Sequence, residues 1–158
     1  MTHEQATAAL RGVLEVGSSQ GWWKGTRQAE FGFERFMGAA FNGSAVTAYY
    51  DETIGLAAVA VNALFGPQVT LAGMRLVGRT PSQLEDEFVA HAQACGAQIR
   101  YSQSADPCSP QLGVVLRVQR AGDLVLSRPV LVAPGWTDRC WDTSECPIPR
   151  DEWTRFDW

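Results

Sequence analysis

Much of the chain alternates short β-prone runs with turn residues, and this pattern constrains the fold more than any other feature of the sequence. The runs Ala45 to Tyr50 and Leu56 to Leu64 are separated by the turn residues Asp51 to Gly55. Two such runs joined by a short polar turn predict an antiparallel hairpin. The runs Leu112 to Gln119 and Leu124 to Val132 predict a second hairpin in the same way.

Two further features refine the predicted sheet. Val69 to Leu71 forms a third, shorter β-prone run before a turn that opens at Gly73. Pro129 lies inside the last of the longer runs, and proline has no N–H to donate to a neighbouring strand. We therefore expect the strand that contains Pro129 to lie at an edge of the sheet or to carry a bulge.

The clearest helix signal lies between the two hairpins. Thr80 is a suitable N-cap, and Pro81 follows at the first helical position, where its missing N–H costs nothing. Gly96 is a natural C-terminal stop. The spacing predicts a helix over Pro81 to Cys95 with one apolar stripe, formed by Leu84, Phe88, Ala92 and Cys95.

Two more helices are predicted nearer the N-terminus. Thr2 and Gln5 have the spacing of a capping box, and apolar residues recur at three- and four-residue intervals from Ala6 to Leu14, so we expect a helix over Thr2 to Val16. Phe33, Phe36, Met37 and Ala40 also have helical spacing, which predicts a short helix over Glu30 to Phe41.

These elements predict an α+β fold, an antiparallel sheet of about six strands with two or three helices packed on one face. The chain is 46% hydrophobic and 19% charged, as expected of a globular protein. We expect residues 1–158 to form a single domain. Residues 134–158 are rich in tryptophan, proline and charge, and are predicted to form an irregular tail packed on that domain.

The sequence predicts a cytoplasmic protein that does not bind a membrane. No apolar run approaches the roughly 20 residues that a membrane-spanning helix needs. The N-terminus has neither the basic nor the apolar region of a secretory signal.

The net charge of −4 disfavours nucleic acid as a partner, because phosphate binding needs clustered positive charge. An acidic chain favours a basic protein partner instead, since opposite charges accelerate association.

The four cysteines, Cys95, Cys108, Cys140 and Cys146, do not predict a metal site. None of them forms a C-x2-C pair, and the chain has two histidines, His3 and His91. Spacing permits a Cys140–Cys146 disulfide, which would be unusual in a reducing cytoplasm. We expect no metal and no cofactor.

No catalytic motif is present, so the sequence leans against an enzyme. It contains no G-x-S-x-G elbow, no P-loop and no H-E-x-x-H. His91 and Cys95 are one helical turn apart, but Cys95 falls on the apolar stripe. We therefore expect a packed thiol beside a boundary histidine.

The candidate partner-binding residues are Trp22, Trp23, Asp51, Glu52, Trp136 and Trp141. Six tryptophans are many for this chain, and tryptophan is enriched at protein interfaces. Adjacent Trp22 and Trp23 cannot both face one core. The alternatives are that the rings seal the ends of the sheet or stack on sugars, and that Asp51 and Glu52 serve only the turn they lie in.

One stretch of the chain carries a family resemblance. Phe31 to Met37 leads into the Tyr49–Asp51 hairpin, and Val69 to Arg79, a helix and Leu112 to Val114 follow. Over residues 30–118 this order resembles small uncharacterised bacterial α+β proteins, some of them candidate immunity proteins found near polymorphic toxins. Its motifs are glycines at turns, so the resemblance implies an architecture and an inhibitory role but assigns no functional residue.

Three functions fit these observations. The first is a non-catalytic protein-interaction module, in its most concrete form an immunity-type inhibitor of a bacterial toxin. The second is a small-ligand-binding protein or enzyme whose site lies on the open sheet face, where Arg117, Arg128, Tyr101 and Asp123 could converge. The third is a structural component that forms a homodimer through an edge strand or the tail.

Overall fold

The computed structural model describes residues 2–9, 13–20, 26–33, 44–102, 105–137 and 156–157. Two helices and eleven strands lie in these ranges. In chain order they are α1 (His3–Ala9), β1 (Val13–Gln20), β2 (Thr26–Phe33), β3 (Val46–Asp51), β4 (Gly55–Val61), β5 (Thr70–Leu71), β6 (Met74–Arg75), α2 (Pro81–Ala94), β7 (Arg100–Tyr101), β8 (Pro107–Ser109), β9 (Val114–Ala121), β10 (Leu124–Val132) and β11 (Phe156–Asp157).

One nine-stranded sheet dominates the described part of the chain. Eight strands follow the order β1-β2-β3-β4-β10-β9-β8-β7, and every neighbouring pair in this path is antiparallel. The ninth strand, β11, pairs with β9 in parallel, opposite Arg120 and Ala121. Strands β5 and β6 form a separate small hairpin. In the same described residues, no helix has the length and apolar character required to cross a membrane.

The predicted fold class is therefore wrong. The structure is mainly antiparallel sheet with more strands than the six expected, and α2 is the one helix longer than two turns among the described residues. The physical reason lies near the N-terminus, where helical spacing was misleading. Long-range pairing outweighs local spacing when a strand can bury its side chains between neighbours.

Both N-terminal helix predictions show this effect. The capping box of the first is present, because the N–H of Gln5 donates to Thr2 Oγ1 at 3.3 Å and the N–H of Thr2 donates to Gln5 Oε1 at 2.9 Å. That helix nevertheless ends at Ala9, and β1 occupies much of the rest of its predicted range. The second predicted helix is wrong over Glu30–Phe33, which belongs to β2, while its residues 34–41 lie outside the described ranges.

The locally encoded elements are confirmed. The two predicted hairpins are β3–β4 and β9–β10, and the predicted turn at Gly73 joins β5 to β6. Helix α2 begins at Pro81 with an extended Thr80 before it, and it ends at the C-cap Cys95, followed by Gly96 with a φ of +68°. A left-handed glycine in that position is a common end to a helix.

Pro129 lies on β10, whose C-terminal part pairs with strands on both sides, whereas its N-terminal part has a strand on one side and a loop on the other. Strand β10 pairs with β4 only over Val130–Val132, so the expected edge position holds only for the part of β10 before those residues. There the N–H of Ser127 donates to the carbonyl of Arg79, and the N–H of Gly78 donates to the carbonyl of Ser127, both at 2.8 Å. The loop before α2 thus covers the edge that β4 leaves.

Arg128 replaces the ladder bond that Pro129 cannot make. Since Val130 pairs with Ala60, the next residue of β4, Val61, lies opposite Pro129. The carbonyl of Val61 accepts a hydrogen bond from Arg128 Nε at 3.1 Å. A guanidinium therefore occupies the donor position that proline leaves empty, which explains how a proline is accommodated inside the sheet.

Side chains alternate between two faces of the sheet, which we name by what covers them. On the helix face, Val114, Leu116 and Leu131 pack with Leu84 and Phe88 of α2. The same face continues over β2 to β4 in a second apolar cluster, which includes Phe31, Val46, Ala48 and Tyr50. The opposite face has its own buried cluster, which includes Tyr49, Val115, Val130, Val132 and Trp136.

Candidate functional site

The helix face is open near the β9–β10 turn, because α2 does not extend over it. Val118 follows the buried Leu116 on this face but is 37% exposed, and Val125 is 49% exposed. The register pairs Val118 with Ser127 and Val125 with Arg120, so the two valines are diagonal neighbours. Two large apolar side chains therefore lie side by side in solvent.

A cavity of about 140 Å³ adjoins these valines, where the first turn of α2 meets β8 and β9. Its lining combines apolar and polar residues: Pro81, Leu84, Ala105, Pro107, Leu116 and Val118 with Glu85, Asp106, Arg117 and Ser127. Pockets for drug-sized ligands measure about 300–1,000 Å³. An engineered cavity of about 150 Å³ holds a benzene ring. The volume therefore fits one side chain better than a whole metabolite.

Glu85 and Tyr101 form an acidic rim beside the cavity. Tyr101 is exposed on β7 opposite Pro107, which lines the cavity, and its hydroxyl lies near Glu85. Partial burial raises the pKa of Tyr101, and the nearby carboxylates of Glu85 and Asp86 raise it further. We call the cavity together with the exposed Tyr101, Val118 and Val125 the groove. Its rim is negative on the side of α2.

Ser127 fixes the start of α2 at the groove. Its hydroxyl donates to the carbonyl of Leu76 and accepts from the N–H of Arg79, both at 3.0 Å. Arg79 in turn forms a bidentate ion pair with Glu87, with N–O distances of 2.6 and 2.7 Å, which raises the pKa of Arg79 and lowers that of Glu87. The loop before α2 is thus tied both to the sheet and to the helix.

The loop at the other wall of the cavity is closed by Asp106. The N–H of Ser102 donates to the carbonyl of Asp106 at 3.0 Å, and the N–H of Asp106 donates to Ser102 Oγ at 3.2 Å. Between them, Ala105 has a φ of +63° and lines the cavity. A left-handed backbone costs an alanine about 1–2 kcal/mol, so this wall holds a strained residue.

A buried ion pair holds this loop against the sheet. Arg117 Nη1 donates to Asp106 Oδ2, and Arg117 is 2% exposed. Arg117 and Arg128 lie directly opposite each other on the opposite face, and both are among the largest fully buried side chains. The structure therefore brings together two of the four residues of the predicted open-face site, but it buries them.

The remaining two residues of that predicted site lie elsewhere. Tyr101 belongs to the groove, and Asp123 is exposed in the turn between β9 and β10. The polar network continues instead to Gln119, whose Nε2 donates to Asn62 Oδ1 at 3.2 Å and whose Oε1 accepts from the N–H of Ala63 at 2.8 Å. These contacts join the end of β4 to β9, so the network has a structural role.

The other sequence-predicted residues do not meet at the groove. Asp51 accepts from the N–H of Thr53 at 2.8 Å and from its hydroxyl, so turn chemistry accounts for it, while Glu52 is exposed beside it. Since β10 runs antiparallel to β4 and pairs Val132 with Ala58, this turn lies at the opposite end of the strands from the β9–β10 turn. Whether it contacts a partner stays a prediction.

Of the three predicted partner-binding positions with tryptophan before residue 140, the structure describes one, Trp136. Trp136 is 3% exposed in the core of the opposite face, which matches the alternative in which the rings seal the sheet. Its contact with a partner stays a prediction. Trp22, Trp23 and Trp141 lie outside the described residues.

Cys95 does not lie on the buried stripe of α2, so its predicted packing is wrong. The buried residues of the helix are Leu84, Phe88 and Ala92, whereas Cys95 is exposed with its Sγ 3.7 Å from His91 Nε2. Within the described ranges, no three His, Cys, Asp or Glu side chains are grouped so that they could hold a metal ion.

The groove was missed because its exposure depends on where α2 ends over the sheet. One local signal was available. Leu124, Val125 and Leu126 are consecutive apolar residues, so they cannot all face the same side of a strand. Such a run in the outer part of a hairpin places apolar side chains on both faces, and at least one face then lacks a partner.

No protein family matches the chain, and no curated protein or solved structure matches it either. The resemblance to immunity-type proteins therefore stays a prediction. The function has to be inferred from the groove and its surroundings.

Proposed function

We propose that this protein is a non-catalytic protein-interaction module that binds a basic partner protein through the groove. The observation that carries the proposal is the exposure of Val118 and Val125 beside a cavity of about the volume of one side chain. Interfaces characteristically anchor one partner's side chain in a pocket at the centre of an apolar patch. The groove supplies both the pocket and the patch.

Exposed apolar residues scattered singly are ordinary, but these are contiguous. Val118 belongs to the cavity wall as well as to the exposed pair, so the patch and the pocket form one surface. Contiguous apolar patches on a folded domain mark interaction sites more often than isolated side chains do. Burial of Tyr101, Val118 and Val125 by a partner would remove them from water.

The charge around the groove supports a basic partner. Glu85 and Asp86 follow each other in the first half of α2, next to Tyr101. Arg120 lies at the far end of the groove, but its Nε already donates to the carbonyl of Gly122 at 3.0 Å. With a net charge of −4 on the whole chain, a basic partner would gain association rate by electrostatic steering.

The most specific form of this proposal is an immunity-type inhibitor in the cytoplasm that covers a basic toxin domain. Cys95 is an exposed thiol, which fits a reducing compartment. An enzyme or ligand-binding site around Arg117 and Arg128 is less well supported, because both side chains are buried and hydrogen-bonded within the sheet.

The test is the affinity for the product of the neighbouring gene, measured by calorimetry with the full chain. Val125→Asp places a charge in the proposed contact, so we expect it to weaken binding about tenfold or more. Ile54→Asp is the matched control, since Ile54 is similarly exposed and lies in the β3–β4 turn, at the opposite end of the strands from the groove. We expect this control to bind as the wild type does.

Two outcomes would contradict the proposal. One is a loss of binding in Ile54→Asp with none in Val125→Asp, which would move the contact to the β3–β4 turn. The other is a dimer in sedimentation experiments that Val125→Asp dissociates, with no affinity for a second protein. That result would assign the groove to self-association.

A further inference from the structure

We infer that the cavity of the groove receives a basic side chain of the partner, with its aliphatic stem against Leu84, Leu116 and Val118 and its cationic head at Glu85. This inference rests on the proposed function and deepens it, because it names the residue type that the partner inserts. It is carried by the chemistry of the cavity wall and by the position of the acidic rim.

The cavity has two chemically distinct parts. One part of its wall is apolar, from Leu84, Pro107, Leu116 and Val118, and is bordered by Ser127 and the Asp106–Arg117 ion pair. Glu85 supplies the other carboxylate of the lining, from the first turns of α2. A side chain that is apolar along its stem and charged at its tip matches this order, as lysine and arginine do. A wholly apolar side chain would leave Glu85 desolvated without a partner, which is unfavourable.

The second carboxylate of the wall does not compete for the cation. Asp106 already forms an ion pair with the buried Arg117, so its charge is compensated inside the protein. Glu85 instead lies at the mouth beside the exposed Tyr101, and a carboxylate can accept several donors. The negative charge available to a ligand is therefore at the mouth of the cavity.

Tyr101 gives the site a second means of recognising a cation. Its ring is exposed next to Glu85, and cations are attracted to the face of an aromatic ring. A cation bound at Glu85 would also offset the negative charges that disfavour the phenolate. Binding should therefore lower the pKa of Tyr101 toward its ordinary value, which gives a spectroscopic signal.

The rigidity of the cavity fits an anchor site. Ser127 fixes one wall through its bonds to Leu76 and Arg79, and the Asp106–Arg117 ion pair fixes the other, where Ala105 is held in a left-handed conformation. Strained residues persist where the surrounding structure over-determines them, and they cluster at binding sites. A preformed pocket reduces the entropy that binding costs.

The probe for this inference is n-butylguanidinium, which reproduces the arginine side chain, with n-butanol as the uncharged counterpart. Titration into the full-length protein is followed by the methyl resonances of Leu84, Leu116 and Val118. We expect butylguanidinium to shift these resonances at millimolar concentration and to lower the pKa of Tyr101. That pKa is taken from the difference in phenolate absorbance between the wild type and Tyr101→Phe. Butanol should bind more weakly.

Two variants, each of which removes one negative charge, distinguish binding in the cavity from a general effect of the nearby charges. Glu85→Gln should weaken butylguanidinium binding about fivefold, the upper range for an exposed ion pair. Asp86→Asn removes a neighbouring charge that does not line the cavity, so it should have a smaller effect. Equal affinities for butanol and butylguanidinium, or no methyl shifts with either probe, would overturn the inference.

The failure of this inference is distinguishable from that of the proposed function. If Val125→Asp abolishes partner binding while Glu85→Gln binds both partner and probe as the wild type does, the groove is the interface but its cavity takes no cation. If neither variant affects the partner while the probe still binds at Glu85, the cavity binds cations but the groove is not the partner's interface.

Discussion

Arg117 and Val118 are neighbours in the chain, yet they show the reverse of the usual relation between polarity and burial. The arginine is 2% exposed on the opposite face, and the valine is 37% exposed on the helix face. The relation repeats on the next strand, where Val125 is exposed and Arg128, three residues further on, is buried. One hairpin therefore buries two arginines on one face while two of its valines are exposed on the other.

This difference indicates that the two faces of the hairpin have different roles. The buried arginines make contacts that the fold requires, one to the loop at Asp106 and one to the carbonyl opposite Pro129. The exposed valines make no such contribution and border a cavity. We therefore assign stability to the buried arginines and recognition to the exposed valines, and each assignment can be tested separately.

The largest effect is expected from Arg117→Met. Removal of the guanidinium leaves the carboxylate of Asp106 buried without its ion-pair partner, which typically costs about 3–5 kcal/mol. The free energy of unfolding in urea measures this loss, and Arg120→Met is the exposed control on the same strand. The stabilising role of the ion pair would be contradicted if the control lost as much stability as Arg117→Met. It would also be contradicted if Asp106→Leu, added to Arg117→Met, recovered none of the lost stability.

A second, smaller loss of stability is expected where Arg128 replaces the backbone hydrogen bond that Pro129 cannot donate. Arg128→Met should cost about 1–3 kcal/mol, because the carbonyl of Val61 loses a buried donor. Pro129→Ala restores a backbone N–H opposite Val61, so in the Arg128→Met background it should recover part of that loss. Strictly additive unfolding free energies in this double-mutant cycle would show that Arg128 does not replace the missing bond.

These buried contacts also show where sequence reasoning ends. The hairpins β3–β4 and β9–β10 and helix α2 could be predicted, because their turns and caps are encoded within a few residues. The strands β1 and β2 could not, since the spacing around Phe33 fits a helix as well as a strand, and only the pairing of Phe31 with Val46 decides between them. Arg117 and Arg128 were named from the sequence, but their burial depends on strands far apart in the chain.

The groove could not be predicted for a related reason. In the sequence, Glu85 lies in the first half of a helix, where acidic residues complement the helix dipole, and Val118 lies in a β-prone run. Neither pattern indicates that the two residues share a cavity. They lie together because Ser127 of β10 holds the loop before α2 through hydrogen bonds to Arg79 and Leu76. These two residues are 48 and 51 positions away from Ser127 in the sequence. Such long-range docking has no local signal.

A gain of stability is expected at the strained wall of the cavity. Ala105→Gly removes the cost of a left-handed backbone at φ +63°, so unfolding should require about 0.5–1 kcal/mol more. Ala72→Gly, at φ +49° in the exposed β5–β6 turn, is the matched control for the backbone effect. If only Ala105→Gly also weakens binding to the groove, the strained wall contributes to recognition; loss of stability in Ala105→Gly would contradict the assigned strain.

The smallest effect on stability is expected from the exposed valines. Val118→Thr and Val125→Thr should each change the free energy of unfolding by no more than about 0.5 kcal/mol, as surface substitutions usually do. The buried Val115→Thr on the same strand should cost well over that amount, because it places a hydroxyl in the core. Thermal unfolding of the three variants provides the comparison.

The most direct test of the exposed valines in the β9–β10 hairpin is the solvent accessibility of the valine methyl groups. A soluble paramagnetic compound broadens the resonances of exposed methyl groups and spares those of buried ones. Strong broadening at Val118 and Val125, with Val114, Val115 and Val130 protected, is the result that the account predicts. Equal protection of all five valines would contradict it, because the apolar face of the groove would then be covered within the protein itself.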